Sequence, residues 1–335
     1  MKTSAIVTTA KGGPDVLKMR DIELQWPGGG GDVLVRLAAA SINPADCFFR
    51  QLGGYIDGPR PLVLGHDGAG TVEAVGASVK TVKPGDRVAF CNGGIGGTPG
   101  TYAHHAVVPA EQLAKIPDTV SFETAAALPL VSITAWESLY DRARLAAQEH
   151  ALIHAGAGGT GHVAVQLARL KGARVAATIS SAEKAKIAQS LGAERAINYR
   201  NENFAAAALD WTKGAGIDVA FDNVGAETMQ KTYRCMAPYG RVVTLMGVAP
   251  DDAETTAYNA NLTLINEMML TPMWKGLKPH LAAQAEIVRQ CLKLVAEGKL
   301  ALRIAATYRL QDAARAHAQI EAGGSSGKIV LTIGG

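Results

Sequence analysis

The sequence predicts an α/β protein: an irregular, mostly β unit followed by a doubly wound parallel sheet, with the end of the chain returning to the first unit. Three observations carry this expectation. Residues 1–122 hold short β-type runs broken by Gly and Pro, residues 123–267 alternate strand and helix patterns, and residues 268–335 break that alternation. The 335 residues suffice for two domains, expected at 1–122 with 268–335 and at 123–267.

In the first unit Ala5–Thr8, Val33–Leu37, Gly70–Val75, Arg87–Phe90 and Ala106–Pro109 are expected strands, apolar runs bounded by turn signals such as Lys83-Pro84-Gly85-Asp86. Ser121-Phe122-Glu123-Thr124 then opens an Ala-rich helical stretch with a capping candidate. The second unit begins its cadence with strand Ala151–His154, helix Thr160–Lys171, strand Arg174–Ile179 and helix Ala182–Leu191. Strands Ala196–Asn198, Val219–Asp222 and Val242–Met246 follow, an order that implies parallel pairing through helical crossovers. Gln284–Glu297 and Leu310–Ala322 have amphipathic helical spacing and Lys328–Thr332 reads as a closing strand, so the last segment is expected to complete the first unit.

Composition excludes several classes. Hydrophobic residues are 48% and charged residues 19%, the balance of a globular chain and not of a disordered or coiled-coil one. The net charge is +3, with no cluster of four Lys or Arg to track a phosphate backbone, so no nucleic-acid partner is expected. Cys47, Cys91, Cys235 and Cys291 are widely spaced, with no C-x-x-C pair for zinc or redox exchange, which suits a reducing compartment. The N-terminus has only the apolar run Ala5-Ile6-Val7, and no window reaches the roughly 18 apolar residues of a membrane span. A cytoplasmic location without membrane contact is expected.

The most informative motif is Gly156-Ala157-Gly158-Gly159-Thr160-Gly161, a G-x-G-x-x-G between an expected strand and helix. Gly156 permits the turn, Gly158 lets backbone approach a pyrophosphate, and Gly161 lets helix and strand approach, while the helix start offers free N–H groups. An acid at the end of the next strand would bind the ribose hydroxyls of NAD and repel a 2′-phosphate. That end reads Ala177-Thr178-Ile179-Ser180-Ser181, with no acid before Glu183. Ser180 and Ser181 can donate to a phosphate and Lys184 lies one turn on, which favours NADPH; a plain capping box of Ser180 with Glu183 is the alternative.

Taken together the motifs resemble the zinc-independent quinone oxidoreductase (zeta-crystallin-like) branch of the medium-chain dehydrogenase/reductase superfamily. The likeness is carried by Ser41-Ile42-Asn43-Pro44-Ala45-Asp46, by Leu64-Gly65-His66-Asp67-Gly68-Ala69-Gly70-Thr71-Val72, by Val82–Val88, by Ala125-Ala126-Ala127-Leu128-Pro129, by the glycine loop and by Phe221-Asp222-Asn223-Val224-Gly225. The resemblance implies a GroES-like catalytic domain split around a Rossmann cofactor domain. It also implies that Asn43, Phe48 and Tyr55 line the pocket by the nicotinamide, where Phe48 departs from the Tyr usual in the family. Tyr55 is then the candidate to polarise or protonate the substrate, or else a loop anchor. Thr134 matches a position near the carboxamide, or serves helix packing. Tyr199 matches an adenine-side contact that with Lys184 holds the 2′-phosphate, Asn223 and Gly225 a place under the nicotinamide ribose, and Gly247 with Val248 backbone groups for the carboxamide. Trp274, with Met268 and Met269, is a candidate substrate wall or ordinary core.

Zinc-dependent members of the superfamily place Cys, His and a further Cys or acid at the catalytic metal. Here Asn43 and Leu130 stand at the first and third positions and only His66 is retained, short of the three protein ligands that such a zinc needs. Asp67 and Glu73 are the remaining oxygen donors for an unusual site. The resemblance therefore implies hydride transfer from C4 of NADPH, without a metal, to a quinone or to the C=C of an enone or enal, in a homodimer. An NADPH-binding protein without physiological turnover and a zinc-type alcohol dehydrogenase remain the competing readings.

Overall fold

The computed structural model describes residues 1–8, 10–26, 28–54, 61–251 and 255–334. Two compact units form, Met1–Leu130 with Leu270–Gly335, and Val131–Met269. Helix Phe122–Ala126, capped by Ser121 Oγ accepting from Thr124 N at 3.2 Å, packs on strands Asp32–Ile42 and Asp67–Val75 and so belongs to the first unit.

The first unit contains two sheets. The smaller joins Lys2–Thr8 to Leu17–Glu23 and to Leu62–Val63, all antiparallel. The larger runs, edge to edge, through Ile304–Arg309, Lys328–Thr332, Asp32–Ile42, Asp67–Val75, Arg87–Cys91 and Ala114–Lys115, with His105–Pro109 also paired to Asp32–Ile42. The closing strand lies between the first and third of these, which is how the end of the chain completes the unit. Its register sets Ile329 opposite Ile42, so Lys328 arrives beside Asn43 from 285 residues away. Most residues of Asp32–Ile42 are sealed in the core, on both faces of the strand, Val33, Leu34, Val35, Leu37, Ala39 and Ala40 among them, as an inner strand requires.

The second unit is a six-stranded parallel sheet in the order Arg195–Asn198, Arg174–Ile179, His150–Ile153, Ile217–Asp222, Met236–Thr244 and Thr263–Asn266. The sequence order of the strands reverses beside His150–Ile153, the switch point where such sheets open a crevice at the strands' carboxyl ends. Leu152, Ala176, Ile197, Ala220 and Val242 form the apolar middle of the sheet, buried under Phe204, Ala208, Met229 and Tyr233. Strands Leu17–Glu23, Thr263–Asn266 and Ile304–Arg309 were not among the expected elements. Each lies at a sheet edge and is polar or only half-buried, so its sequence lacks the run of buried β-branched residues that marks an inner strand.

Candidate active site

In the second unit the glycine loop joins strand His150–Ile153 to helix Gly161–Leu170. A Cβ on Gly161 would lie 2.2 Å from the Ala155 carbonyl oxygen, and one on Gly156 2.6 Å from Ala177 Cβ. A Cβ on Gly158 would meet only Ala155, at 3.1 Å from its oxygen. Gly156 and Gly161 thus close the turn on the sheet, whereas the outer side of Gly158 is left to a ligand. Gly159 and Thr160 are half-buried on the same turn.

The rest of the cofactor candidates sit at the carboxyl ends of the same sheet. Ser180 and Ser181 follow strand Arg174–Ile179; Ser181 Oγ accepts from Lys184 N at 3.2 Å, so the cap is Ser181, and its O–H remains a donor. Tyr199 is half-exposed at the end of Arg195–Asn198. A cavity of ≈ 300 Å³ opens here, lined by His154, Thr178, Tyr199, Phe204, Val224 and Thr228 among others. Asn223 follows strand Ile217–Asp222, and its Oδ1 is buried without a partner among the described residues. Asp222 fixes that turn: its carboxylate accepts from Val224 N at 2.9 Å and from Gly225 N at 3.0 Å. Gly247, with φ 86°, and Val248 are exposed, and the Val248 amide is taken by Asn266 Oδ1 at 2.9 Å, which leaves its carbonyl. Thr134 is buried on helix Pro129–Trp136. A glycine cradle, an orphaned amide oxygen under the turn and an adjoining cavity fit a bound dinucleotide.

In the first unit Asn43 precedes helix Pro44–Leu52 and is buried. Its Nδ2 donates to Asp67 Oδ2 at 2.8 Å and its Oδ1 accepts from Lys328 Nζ. Asp67 also accepts from Ser41 Oγ and from Leu130 N, both at 2.8 Å, while Lys328 Nζ lies 3.5 Å from Asp67 and donates to Ile42 O at 3.1 Å. Burial lowers the Lys328 amine from its ordinary value, against the pull of Asp67. Next to this cluster His66 Nδ1 is 2.5 Å from Asp46 Oδ1, and Asp46 Oδ2 accepts from Asn43 N at 2.8 Å and Tyr102 OH at 3.1 Å. Burial opposes the Asp46 charge, but His66 and the Asn43 N–H prevail and hold its carboxyl below the usual range. Beyond Tyr102 lie His317 and the fully buried Arg50, which pairs with Glu321.

Phe48 is half-exposed on helix Pro44–Leu52, and Trp274 is partly exposed on helix Thr271–Lys275 with Lys275 Nζ 4.0 Å above its ring. Tyr55 lies outside the described residues. Asp67 is engaged as above and Glu73 faces His105 at 3.3 Å, and among the described residues no group of three His, Cys, Asp or Glu converges as a metal needs. Sequence reasoning missed Asp46, Arg50, Tyr102, Asp222, His317 and Lys328. The available signal was charge placed where strand or helix patterns bury it, as for Lys328 at the head of Ile329-Val330-Leu331.

A zinc-binding dehydrogenase family model matches residues 191–331, and an alcohol dehydrogenase GroES-like domain model residues 29–118. A quinone oxidoreductase of Pseudomonas aeruginosa is 34% identical over 333 residues, covering 96% of this chain and 97% of that protein. The chain belongs to the quinone oxidoreductase branch of the medium-chain dehydrogenase/reductase superfamily. Within this oxidoreductase superfamily a 2-haloacrylate reductase of Burkholderia is 33% identical, covering 98% of both chains. The crystal structure of an Escherichia coli quinone oxidoreductase complexed with NADPH superposes with a TM-score of 0.85 at 28% identity, covering 98% of this chain and 99% of that one. The two units correspond to the superfamily's GroES-like and Rossmann domains.

Two buried histidines set an acid limit on this fold. Burial pushes His154 down to about 4, with Asp222 opposing, and His317 down to about 4, with Asp46 opposing and Arg50 assisting. Below the ordinary histidine value of 6.5 the unfolded chain binds protons that the folded one refuses, so stability falls as pH drops from 6.5 toward 4. Each histidine withdraws about 3 kcal/mol across that window. His154 lies between Thr178 Oγ1 at 3.1 Å and Thr232 Oγ1 at 2.9 Å, and His154→Gln keeps polar contact there without titrating. Urea titrations at pH 7.5 and pH 5 should give a smaller loss for this variant than for the parent; equal losses would refute the assignment.

Proposed function

We propose that this protein is an NADPH-dependent reductase of quinones, with reduction of the C=C of α,β-unsaturated carbonyls as a close variant. The observation that carries the cofactor choice is the end of strand Arg174–Ile179, where Ser180 and Ser181 stand with half-buried Lys184 and no carboxylate precedes exposed Glu183. Gly158, Gly159 and the first turn of helix Gly161–Leu170 would hold the pyrophosphate, Ser180, Ser181, Lys184 and Tyr199 the 2′-phosphate and adenine side, and Asn223 the nicotinamide ribose. A bound NADPH would supply the hydride. Asn43, and Tyr55 by family likeness, bias the pose of the acceptor, and Phe48 and Trp274 give it apolar walls. The relatives named as a quinone oxidoreductase and a 2-haloacrylate reductase support both acceptor classes.

The test is turnover with quinones, enones, aldehydes and alcohols under NADPH and NADH. kcat/KM should favour NADPH, and Lys184→Ala should lower it about tenfold or more for NADPH alone, since a contact to a charged phosphate is worth about 1.5–3 kcal/mol. An NADH preference would overturn the cofactor assignment. Binding without turnover of any acceptor would favour a nucleotide-binding role instead.

A homodimer is part of the same reading. Strand Thr263–Asn266 ends the six-stranded sheet with one side unpaired among its strands, and Tyr239 and Tyr258 are 71% and 81% exposed. Light scattering should report twice the 34.9 kDa chain mass, and a monomer at micromolar concentration would exclude it.

A further inference from the structure

Two residues beside the cavity of the second unit hold backbone conformations that a Cβ disfavours. Ala155, at the entry to the glycine loop, has φ 49°. Ala226, between the turn that Asp222 fixes and helix Glu227–Tyr233, has φ 47° and ψ −124°. Such conformations persist only where surrounding contacts over-determine them, and they gather where ligands are held. The Ala155 carbonyl accepts from Gly158 N at 2.8 Å and is the group that leaves no room for a Cβ on Gly161, so the conformation of this one residue places the whole turn. Ala155 and Thr228, in the first turn of helix Glu227–Tyr233, both line the cavity.

One side chain reaches both places. His154 follows strand His150–Ile153, is buried, and sets its ring edge-on to Phe204 with the ring centres 5.0 Å apart. The Thr228 carbonyl can only accept, so the Thr232 hydroxyl donates to it at 2.7 Å, and the Thr232 oxygen accepts from His154 Nε2–H at 2.9 Å. Burial keeps the ring neutral, against the pull of Asp222, which leaves Nδ1 bare. Nδ1 accepts from the Thr178 hydroxyl at 3.1 Å, and the Thr178 oxygen accepts the Ala155 N–H at 3.1 Å. The other tautomer would set a bare Nε2 against the Thr232 oxygen, whose proton is already given to Thr228. The bonds therefore run in one direction from the glycine turn to the opposite wall of the cavity.

We propose that His154, as the Nε2–H tautomer, is a positioning residue for the dinucleotide. Through Thr178 it holds Ala155, and with it the glycine turn; through Thr232 it holds the first turn of helix Glu227–Tyr233. Both sides of the cavity are thereby set before the ligand arrives, which lowers the cost of ordering them on binding. This rests on the dinucleotide reading of the loop. The N–H groups of the turn, and not the imidazole, meet the phosphates.

Three measurements test it. In ¹⁵N-histidine spectra of the ligand-free protein at neutral pH, His154 should carry its proton on Nε2 alone, and a proton on Nδ1 overturns the proposal. His154→Gln keeps an N–H for Thr232 and removes the acceptor for Thr178. In this variant, without ligand, the Ala155 amide should exchange its hydrogen about tenfold faster, while the amides of strand His150–Ile153 keep their parental rates. The variant should also bind NADPH about tenfold more weakly. Adding Ala155→Gly, which takes a positive φ without restraint, should recover most of that loss. Equal acceleration at all these amides, a Kd within twofold of the parent, or no recovery in the double variant overturns the proposal. If His154→Gln does not fold, His154→Asn replaces it: that variant keeps an acceptor near the place of Nδ1 and deletes the Thr232 contact, so exchange should quicken in helix Glu227–Tyr233 and not at Ala155, and the reverse pattern overturns the proposal. If the parent binds neither NADPH nor NADH, it is the dinucleotide reading that fails, and the spectra and exchange rates still decide whether His154 holds the turn.

Discussion

Gly161→Ala is expected to abolish measurable NADPH binding. The new methyl would lie 2.2 Å from the Ala155 carbonyl oxygen and 2.8 Å from its carbon, and both are backbone, so no side chain can swing aside. The turn must open, which moves the N–H groups at the start of helix Gly161–Leu170 away from any pyrophosphate. Overpacking of this kind costs about 1–3 kcal/mol of stability. Loss of two charge-assisted contacts at about 1.5–3 kcal/mol each corresponds to a rise in Kd on the order of 100-fold or more. Gly158→Ala is the informative contrast. Its methyl meets only Ala155, so the melting temperature should hold within a few degrees while NADPH binding weakens, because the methyl enters the ligand's space. Calorimetric titration and thermal melts of both variants are the check. Parental affinity in Gly161→Ala would remove the loop from the cofactor site.

The second large effect concerns the buried pair of the first unit. Lys328→Met should destabilise the protein by about 3–5 kcal/mol, because it leaves the Asp67 carboxylate buried without its cation. Asp67 would keep Ser41, Asn43 and Leu130 N as donors, but Asn43 would lose the Lys328 contact that orients its amide. Adding Asp67→Asn to Lys328→Met should recover part of the loss, since the uncompensated charge is then gone. Urea unfolding of the single and double variants measures this. A cost below about 1 kcal/mol for Lys328→Met would mean that the pair contributes little. The same single variant should raise KM for the acceptor, through Asn43.

The two kinds of site differ in how far the sequence alone revealed them. The dinucleotide loop was legible because its chemistry is local: Gly156, Gly158 and Gly161 are set by one turn between an adjacent strand and helix, and six consecutive residues specify it. The places of Ser180, Ser181 and Asn223 at strand ends were legible for the same reason, since the apolar run of each strand marks where it stops. Inner strands such as Arg174–Ile179 and Lys328–Thr332 were found at their observed bounds because burial on both faces demands continuous apolar residues. The edge strands Leu17–Glu23, Thr263–Asn266 and Ile304–Arg309 were missed because nothing demands that of them.

The cluster around Asn43 depended on pairing that no local pattern encodes. His66 drew notice as a metal-ligand position without its partners, yet its partner Asp46 lies 20 residues away on a helix, and Lys328 meets Asn43 across 285 residues. Arg50, Tyr102 and His317 converge from a helix, a loop and the C-terminal helix. In sequence these are ordinary polar residues on solvated faces or in turns. Their burial together follows from tertiary packing, including the register that sets Ile329 against Ile42 and brings the C-terminal segment onto the first unit. Sequence by itself determined the architecture and the glycine turn, since both rest on hydrophobic periodicity and backbone sterics over a few residues. Only the tertiary structure decided which charges are buried together, because that depends on long-range strand register, which a one-residue shift would reverse.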